Sequence, residues 1–119
     1  ARRGVGMTRI RFAALDVDGT LVDSRLNMTE PVRTALHRLL DAGVGIAVAT
    51  GRALSELSEL RVLFPEIRYF IFSLGAAALD ANRGETLYSC LLSPPLARKI
   101  ARAASGTPCM IEVYADGVA

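Results

Sequence analysis

The chain has 119 residues, 51% hydrophobic and 22% charged, which suits one ordinary domain rather than two and is too apolar and evenly charged for a disordered segment. Its net charge of +2 rests on the amino terminus, because without Arg2 and Arg3 basic and acidic residues balance at 12 each. With three Tyr, four Phe, no Trp and no aromatics interleaved with arginine, no nucleic-acid platform is expected. No membrane span is expected either, since the longest uncharged run, Thr86 to Ala97, is interrupted by Pro94 and Pro95.

Residues 1–8 read as a leader or disordered terminus, with Met7 as a candidate start. The apolar stretch that follows is broken by Asp16 too early to form a signal-peptide core. Ile10 to Val17 is a near-continuous apolar run, as expected of a strand covered on both faces. Thr29 is expected to cap a helix whose residues Val32, Ala35, Leu36, Leu39 and Leu40 share one face, with Gly43 closing it. His37 falls on the opposite face and receives no catalytic role. Val44 to Ala49 is a second buried strand, Ala53 to Phe64 a second helix stopped by Pro65, and Arg68 to Ser73 a third strand. The order is βαβαβ, and parallel strands joined by helices imply a doubly wound sheet.

Past Gly75, Ala76 to Asp80 and Glu85 to Cys90 are expected to pair as a hairpin through Ala81-Asn82-Arg83-Gly84. A helix from Ser93-Pro94-Pro95 to about Ala104 and a strand from Cys109 to Ala115 follow. Cys90 and Cys109 make no CxxC pair, and one histidine gives no zinc spacing. Both therefore read as unpaired core thiols of a protein in the reducing cytoplasm.

Open parallel sheets place ligands at the carboxyl ends of their strands. The first strand ends in Asp16-Val17-Asp18-Gly19-Thr20-Leu21 and the second in Ala49-Thr50-Gly51-Arg52. Two carboxylates at a strand end can converge on one reacting centre, one as nucleophile and the other managing protons. Gly19 permits the abrupt turn and a close approach of backbone N–H groups to an anion. Thr50 offers a hydroxyl to an oxyanion, and Gly51 and Arg52 lead into a helix whose amino end favours negative charge. Together these point to a phosphoryl group.

These two motifs resemble the haloacid dehalogenase superfamily of phosphohydrolases, specifically its Cof-type branch. The resemblance implies an α/β fold: a Rossmann-like parallel sheet, the first βαβαβ half of the family core over residues 9–80, then the beginning of an α+β cap domain over 81–119. It implies a phosphatase of small phosphorylated metabolites such as sugar phosphates. Asp16 would form an aspartyl-phosphate, Asp18 would act as acid and base, and Thr50 would hold a phosphoryl oxygen, with Gly19, Gly51 and Arg52 completing the phosphate site. Mg²⁺ would sit between the Asp16 carboxylate and the Asp18 backbone carbonyl. A hard cation is needed there because an anionic nucleophile must approach an anionic phosphate.

The chain departs from the family's pattern in three places. Lys99, the only lysine, lies in the helix after Pro95 and is not carried over as the family's catalytic lysine. Asp116-Gly117 reverses the order of the later metal motif. Ser73-Leu74-Gly75-Ala76 stands where the branch shows Asn-Gly-Ala. An isolated chain of this kind is therefore expected to be inactive by itself, the alternatives being a non-catalytic fragment of the fold and a phospho-acceptor receiver domain. A receiver needs an acceptor Asp at the third strand end, where this chain has Phe72-Ser73-Leu74. A calcium loop fails because Gly19 is fourth, not sixth, from Asp16 and the twelfth residue is Asn27. Asp23, Ser24 and Arg25 form either a mobile flap or a solvated turn. In the family the first strand is central; here it is expected to be an exposed edge that promotes self-association.

Overall fold

A computed structural model describes residues 9–115 of the chain. The leader reading of residues 1–8, and Asp116-Gly117, lie outside the described residues. Five strands form one sheet in the order β1 (Phe12–Asp16), β2 (Gly45–Ala49), β3 (Tyr69–Phe72), β4 (Ala77–Asp80), β5 (Glu85–Ser89). β1, β2 and β3 run parallel, with Asp16 opposite Ala49 and Ala49 opposite Ile71, while β4 and β5 are antiparallel additions. The Rossmann-like α/β architecture is thus present, each strand slightly shorter than its apolar run.

α1 (Glu30–Asp41) and α2 (Leu57–Leu63) make the two crossovers. Their buried leucines, Leu36, Leu57 and Leu60, join Ile46 and Val48 of β2, Phe70 and Phe72 of β3, and Phe64 in a single core. Side chains alternate across a strand, so the even-numbered residues of β2 and β3 share the helix-covered face. The odd-numbered ones face the other way, where Phe12, Gly45, Ala47, Tyr69, Ile71 and Leu87 line an open apolar depression. Among the described residues the crossover helices cover one face only, which corrects the expectation of a doubly wound sheet. β1 is an edge strand, its residues alternating between exposed and half-buried.

Several local expectations change. Thr29 occupies the cap position of α1, but its side chain makes no capping bond; only its carbonyl accepts the Arg33 N–H, at 3.1 Å. The second helix begins late, as a 3₁₀ turn over Leu54–Glu56 that leads into α2. α3 (Pro94–Ala104) forms as expected, yet Cys109 to Tyr114 makes no strand and Ala115 only an isolated bridge. Extended residues need a neighbouring ladder to become a strand, and the described sheet offers this segment none. Cys90 and Cys109 are unbridged, as expected, but exposed rather than core residues.

The β4–β5 turn depends on Asp80, whose side chain is 2% exposed. One carboxylate oxygen accepts two N–H groups of the Arg68 guanidinium, the Nε at 2.8 Å. The other accepts the backbone N–H of Asn82 and Arg83 at 3.1 and 3.3 Å. These bonds hold the carboxyl below its ordinary value, with the Arg68 bonds the largest cause. Arg68 also stacks over the Tyr69 ring, 4.9 Å from its centroid.

Candidate active site

Because β1 and β2 are parallel and in register, Asp16 and Thr50 arrive at the same end of the sheet from adjacent strands. Past Asp16 the chain turns sharply. The Val17 carbonyl accepts the N–H groups of Thr20, Leu21 and Val22, and Gly19 sits at φ +76°, where glycine avoids a steric cost. Val17, Leu21 and Val22 are buried and anchor the turn, leaving Asp16, Asp18, Gly19 and Thr20 exposed at its rim. The Gly19 N–H donates to Val22 O at 2.9 Å, so a phosphate would compete for that donor.

Thr20 donates its hydroxyl to Asp16 Oδ2 at 3.2 Å, which orients the carboxylate and leaves Oδ1 without a hydrogen bond among the described residues. Thr50 is 5% exposed, and its Oγ1 accepts the Arg52 N–H at 3.1 Å. Its own hydroxyl hydrogen therefore remains to be donated to an incoming oxyanion. The Arg52 guanidinium reaches across the crevice to Asp18, Nε to Oδ2 at 3.0 Å and Nη2 to Oδ1 at 2.8 Å. That pair holds the Asp18 carboxyl below its ordinary value and raises the guanidinium's. Glu56 and Glu59 stand farther off, each 3.9 Å from Arg52 Nη1.

Asp16, Asp18, Gly19, Thr50, Gly51 and Arg52, picked out by their positions at strand ends, thus meet at one crevice. One feature differs from expectation: the helix amino end after Arg52 already has an anion, since Glu56 Oε2 accepts the Ala53 N–H at 2.9 Å. Of the two readings of Asp23-Ser24-Arg25, the geometry matches the solvated turn: all three residues are exposed, and the Asp23 carboxylate accepts the backbone N–H groups of Arg25 and Asn27 at 2.8 and 2.9 Å and so organises its own loop. Sequence reasoning missed Thr20 as the group that orients Asp16, although it lies in the same motif. It also missed Glu56, although an acid four residues after an arginine is a helical ion-pair signal. His37 stays on the surface, 3.0 Å from Glu66.

Among the described residues, no three His, Cys, Asp or Glu side chains gather as a metal cluster. The oxygen donors at the turn nevertheless suit magnesium, which keeps most of its waters and takes one or two carboxylates plus substrate oxygens. Asp16 supplies an exposed carboxylate. The bridge between Asp18 and Val22 is made by Val22 N–H on Val17 O and Gly19 N–H on Val22 O, so it does not use the Asp18 carbonyl. With its carboxylate on Arg52, Asp18 would meet a cation through that carbonyl. At the end of β3 stand Ser73 and Leu74, so no acceptor carboxylate of the receiver kind is placed there.

A family model described as haloacid dehalogenase-like hydrolase matches residues 13–119. An HMP-PP phosphatase of Cronobacter sakazakii is 32% identical over 106 residues, covering 89% of this chain and 39% of its own length. Among solved structures, a phosphatase of the haloalkanoate superfamily from Bacteroides thetaiotaomicron superposes with TM-score 0.73 at 28% identity, over 86% of this chain and 37% of that one. A sugar phosphatase of HAD subclass IIB superposes with TM-score 0.68 at 25% identity, over 81% of this chain and 37% of that one. The chain thus spans about two fifths of the length of these relatives.

Proposed function

The chain belongs to the haloacid dehalogenase-like hydrolases, in their Cof-type branch, and on that footing we propose that its strand-end crevice is the nucleophile half of a phosphatase acting on phosphoric monoesters of small metabolites. The observation that carries this reading is the placing of an exposed Asp16 carboxylate, an Asp18–Arg52 pair and a Thr50 hydroxyl together at the ends of β1 and β2. HMP-PP and sugar phosphates, named for its relatives, indicate the class of substrate.

In this mechanism the unheld oxygen of Asp16 attacks phosphorus, and the bond from phosphorus to the ester oxygen breaks as the Asp16 acyl-phosphate bond forms. The departing oxygen takes its proton from Asp18. Water then attacks the same phosphorus and gives a proton to Asp18, releasing inorganic phosphate and restoring the Asp16 carboxylate. Thr50 donates its hydroxyl to a phosphoryl oxygen throughout. In the resting arrangement Arg52 keeps Asp18 ionised. An entering phosphate dianion draws the guanidinium toward itself, which releases Asp18 to take up the proton it must later give. Mg²⁺ held by the Asp16 carboxylate and the Asp18 carbonyl would neutralise the repulsion between nucleophile and substrate.

The non-catalytic alternative has its own support. Lys99 sits on α3, and among the described residues Asp16 belongs to no cluster of three His, Cys, Asp or Glu side chains that could hold a metal. Losing one stabilising group of this kind can cost about a hundred- to a thousandfold in rate, so the isolated chain should bind phosphate but turn over little. The exposed, unbridged thiols suit a reducing compartment, and we place the reaction in the cytoplasm. No helix of the described residues is long and apolar enough to cross a membrane.

The test is Mg²⁺-dependent hydrolysis of a generic aryl phosphate by the isolated chain, with Asp16→Asn as control. Slow turnover that vanishes in the variant supports the phosphatase reading. Turnover that survives Asp16→Asn contradicts it, and robust turnover contradicts the need for further residues.

A further inference from the structure

Leu74 is the residue of the crevice to which the phosphatase reading gives no task. It follows β3 with φ 54° and ψ 33°, directly after Ser73 at φ 49°, so two residues with side chains stand in succession in the left-handed region. Glycine and asparagine take that conformation far more readily than leucine. The backbone is pinned there by Ser73 N–H on Arg52 O at 2.8 Å, Leu74 N–H on Thr50 O at 3.3 Å, and Ala76 N–H on Ser73 O at 3.1 Å. Burial does not offset the strain, because Leu74 is 90% exposed. Its side chain lies over the phosphate segment: a methyl group placed on Gly51 would come within 3.1 Å of Leu74 Cδ2. The two carbonyls that hold this loop belong to Thr50 and Arg52, the residues on either side of Gly51.

A strained backbone that presents an apolar side chain to solvent, beside a site of polar groups, is an outlier from which a functional role can be inferred. Resting on the phosphatase reading of this site, we propose that Leu74 sets the leaving-group preference, favouring phosphate esters of flat, apolar groups over those of polyhydroxylated ones. An aromatic leaving group seated against Leu74 removes apolar surface from water on both partners. A sugar hydroxyl in the same place loses a water partner and meets neither donor nor acceptor on the isobutyl group.

The experiment is calorimetric titration of the chain in Mg²⁺ with inorganic phosphate, phenyl phosphate and glucose 6-phosphate, comparing wild type with Leu74→Asn and Leu74→Ala. Asparagine suits the left-handed backbone, so Leu74→Asn should melt no lower than wild type. The wild type should bind phenyl phosphate more tightly than glucose 6-phosphate. Both variants should lose about tenfold of that ratio, the lower end of what one apolar contact contributes to discrimination, with the affinity for inorganic phosphate unchanged. An unchanged ratio in both variants, with phosphate still bound, overturns the role of Leu74 alone. If inorganic phosphate fails to bind the wild type, or binds Thr50→Val equally well, the phosphatase reading falls and this inference with it.

Discussion

Arg52 grips Asp18 through two hydrogen bonds of 3.0 and 2.8 Å, joining the end of β2 to the turn that follows β1. The two motifs are thereby one electrostatic unit, and Asp18, the proposed acid–base residue, is held ionised in the resting protein. On that proposal, the carboxyl is kept from donating a proton until something displaces its partner.

Removing that partner should be visible in Asp18 itself. Its carboxyl value is lowered in the folded protein, chiefly by the Arg52 hydrogen bonds. The pair therefore adds stability above the ordinary carboxylate value of about 3.9 and loses it as pH falls through the lowered value. Asp18 is half exposed, so the contribution is small, at most about 1 kcal/mol. Arg52→Ala should raise the Asp18 titration midpoint, followed by carboxyl ¹³C NMR, and flatten the stability loss in that window. A midpoint that stays where it was would show that Arg52 does not govern Asp18.

Asp80 should matter more to the fold than to the chemistry. Its nearly inaccessible carboxylate serves both Arg68 and the backbone of the β4–β5 turn. Asp80→Asn should lower Tm by several degrees and remove an acid-sensitive part of stability that, with a lowered carboxyl value, is lost as pH falls. Equal melting curves for the two proteins from pH 7 to pH 3 would contradict this.

The core should be equally sensitive. Phe70 of β3 is fully buried in the core that the sheet shares with α1 and α2, and Phe70→Ala should cost about 3–5 kcal/mol. Urea denaturation reads this directly, and a loss below about 1 kcal/mol would mean that the site collapses around the cavity.

How far the sequence announced this structure depended on how local each signal was. The strands containing Leu15, Val48 and Phe70 were legible because apolar runs between polar turns leave few alternatives, and their parallel register brings the strand-end residues Asp16, Asp18 and Thr50 to the same end of the sheet. The Asp18–Arg52 pair was not legible, since nothing in 34 residues of separation fixes which anion an arginine will choose. Neither was the left-handed Leu74, because a conformation imposed by hydrogen bonds to Thr50 and Arg52 overrides leucine's own preference. The extended Cys109 to Ala115 segment failed because strand propensity needs a neighbour to pair with. Thr29 failed as a side-chain cap because its hydroxyl makes no bond to the first turn.

Among the described residues β1 lies at the edge of the sheet, with Phe12 51% exposed and Ile10, just before the strand, 72% exposed. Unpaired strand edges of this kind invite pairing with another chain, so we expect concentration-dependent self-association in light scattering. Phe12→Lys should reduce it, because a charge on an edge strand opposes pairing. A monodisperse monomer of 12.7 kDa across the concentration range would contradict the expectation.

The most direct test of the phosphatase reading asks whether Asp16 is a competent nucleophile, independently of turnover. Beryllium fluoride, which bonds to a carboxylate oxygen as a phosphoryl mimic, should give a bound ¹⁹F NMR signal with the wild-type chain in Mg²⁺. That signal should be absent from Asp16→Asn and weakened in Thr50→Val. A wild-type chain that folds, binds Mg²⁺ and gives no bound signal, or an Asp16→Asn variant that gives the same one, would contradict the assignment of Asp16 as the attacking group.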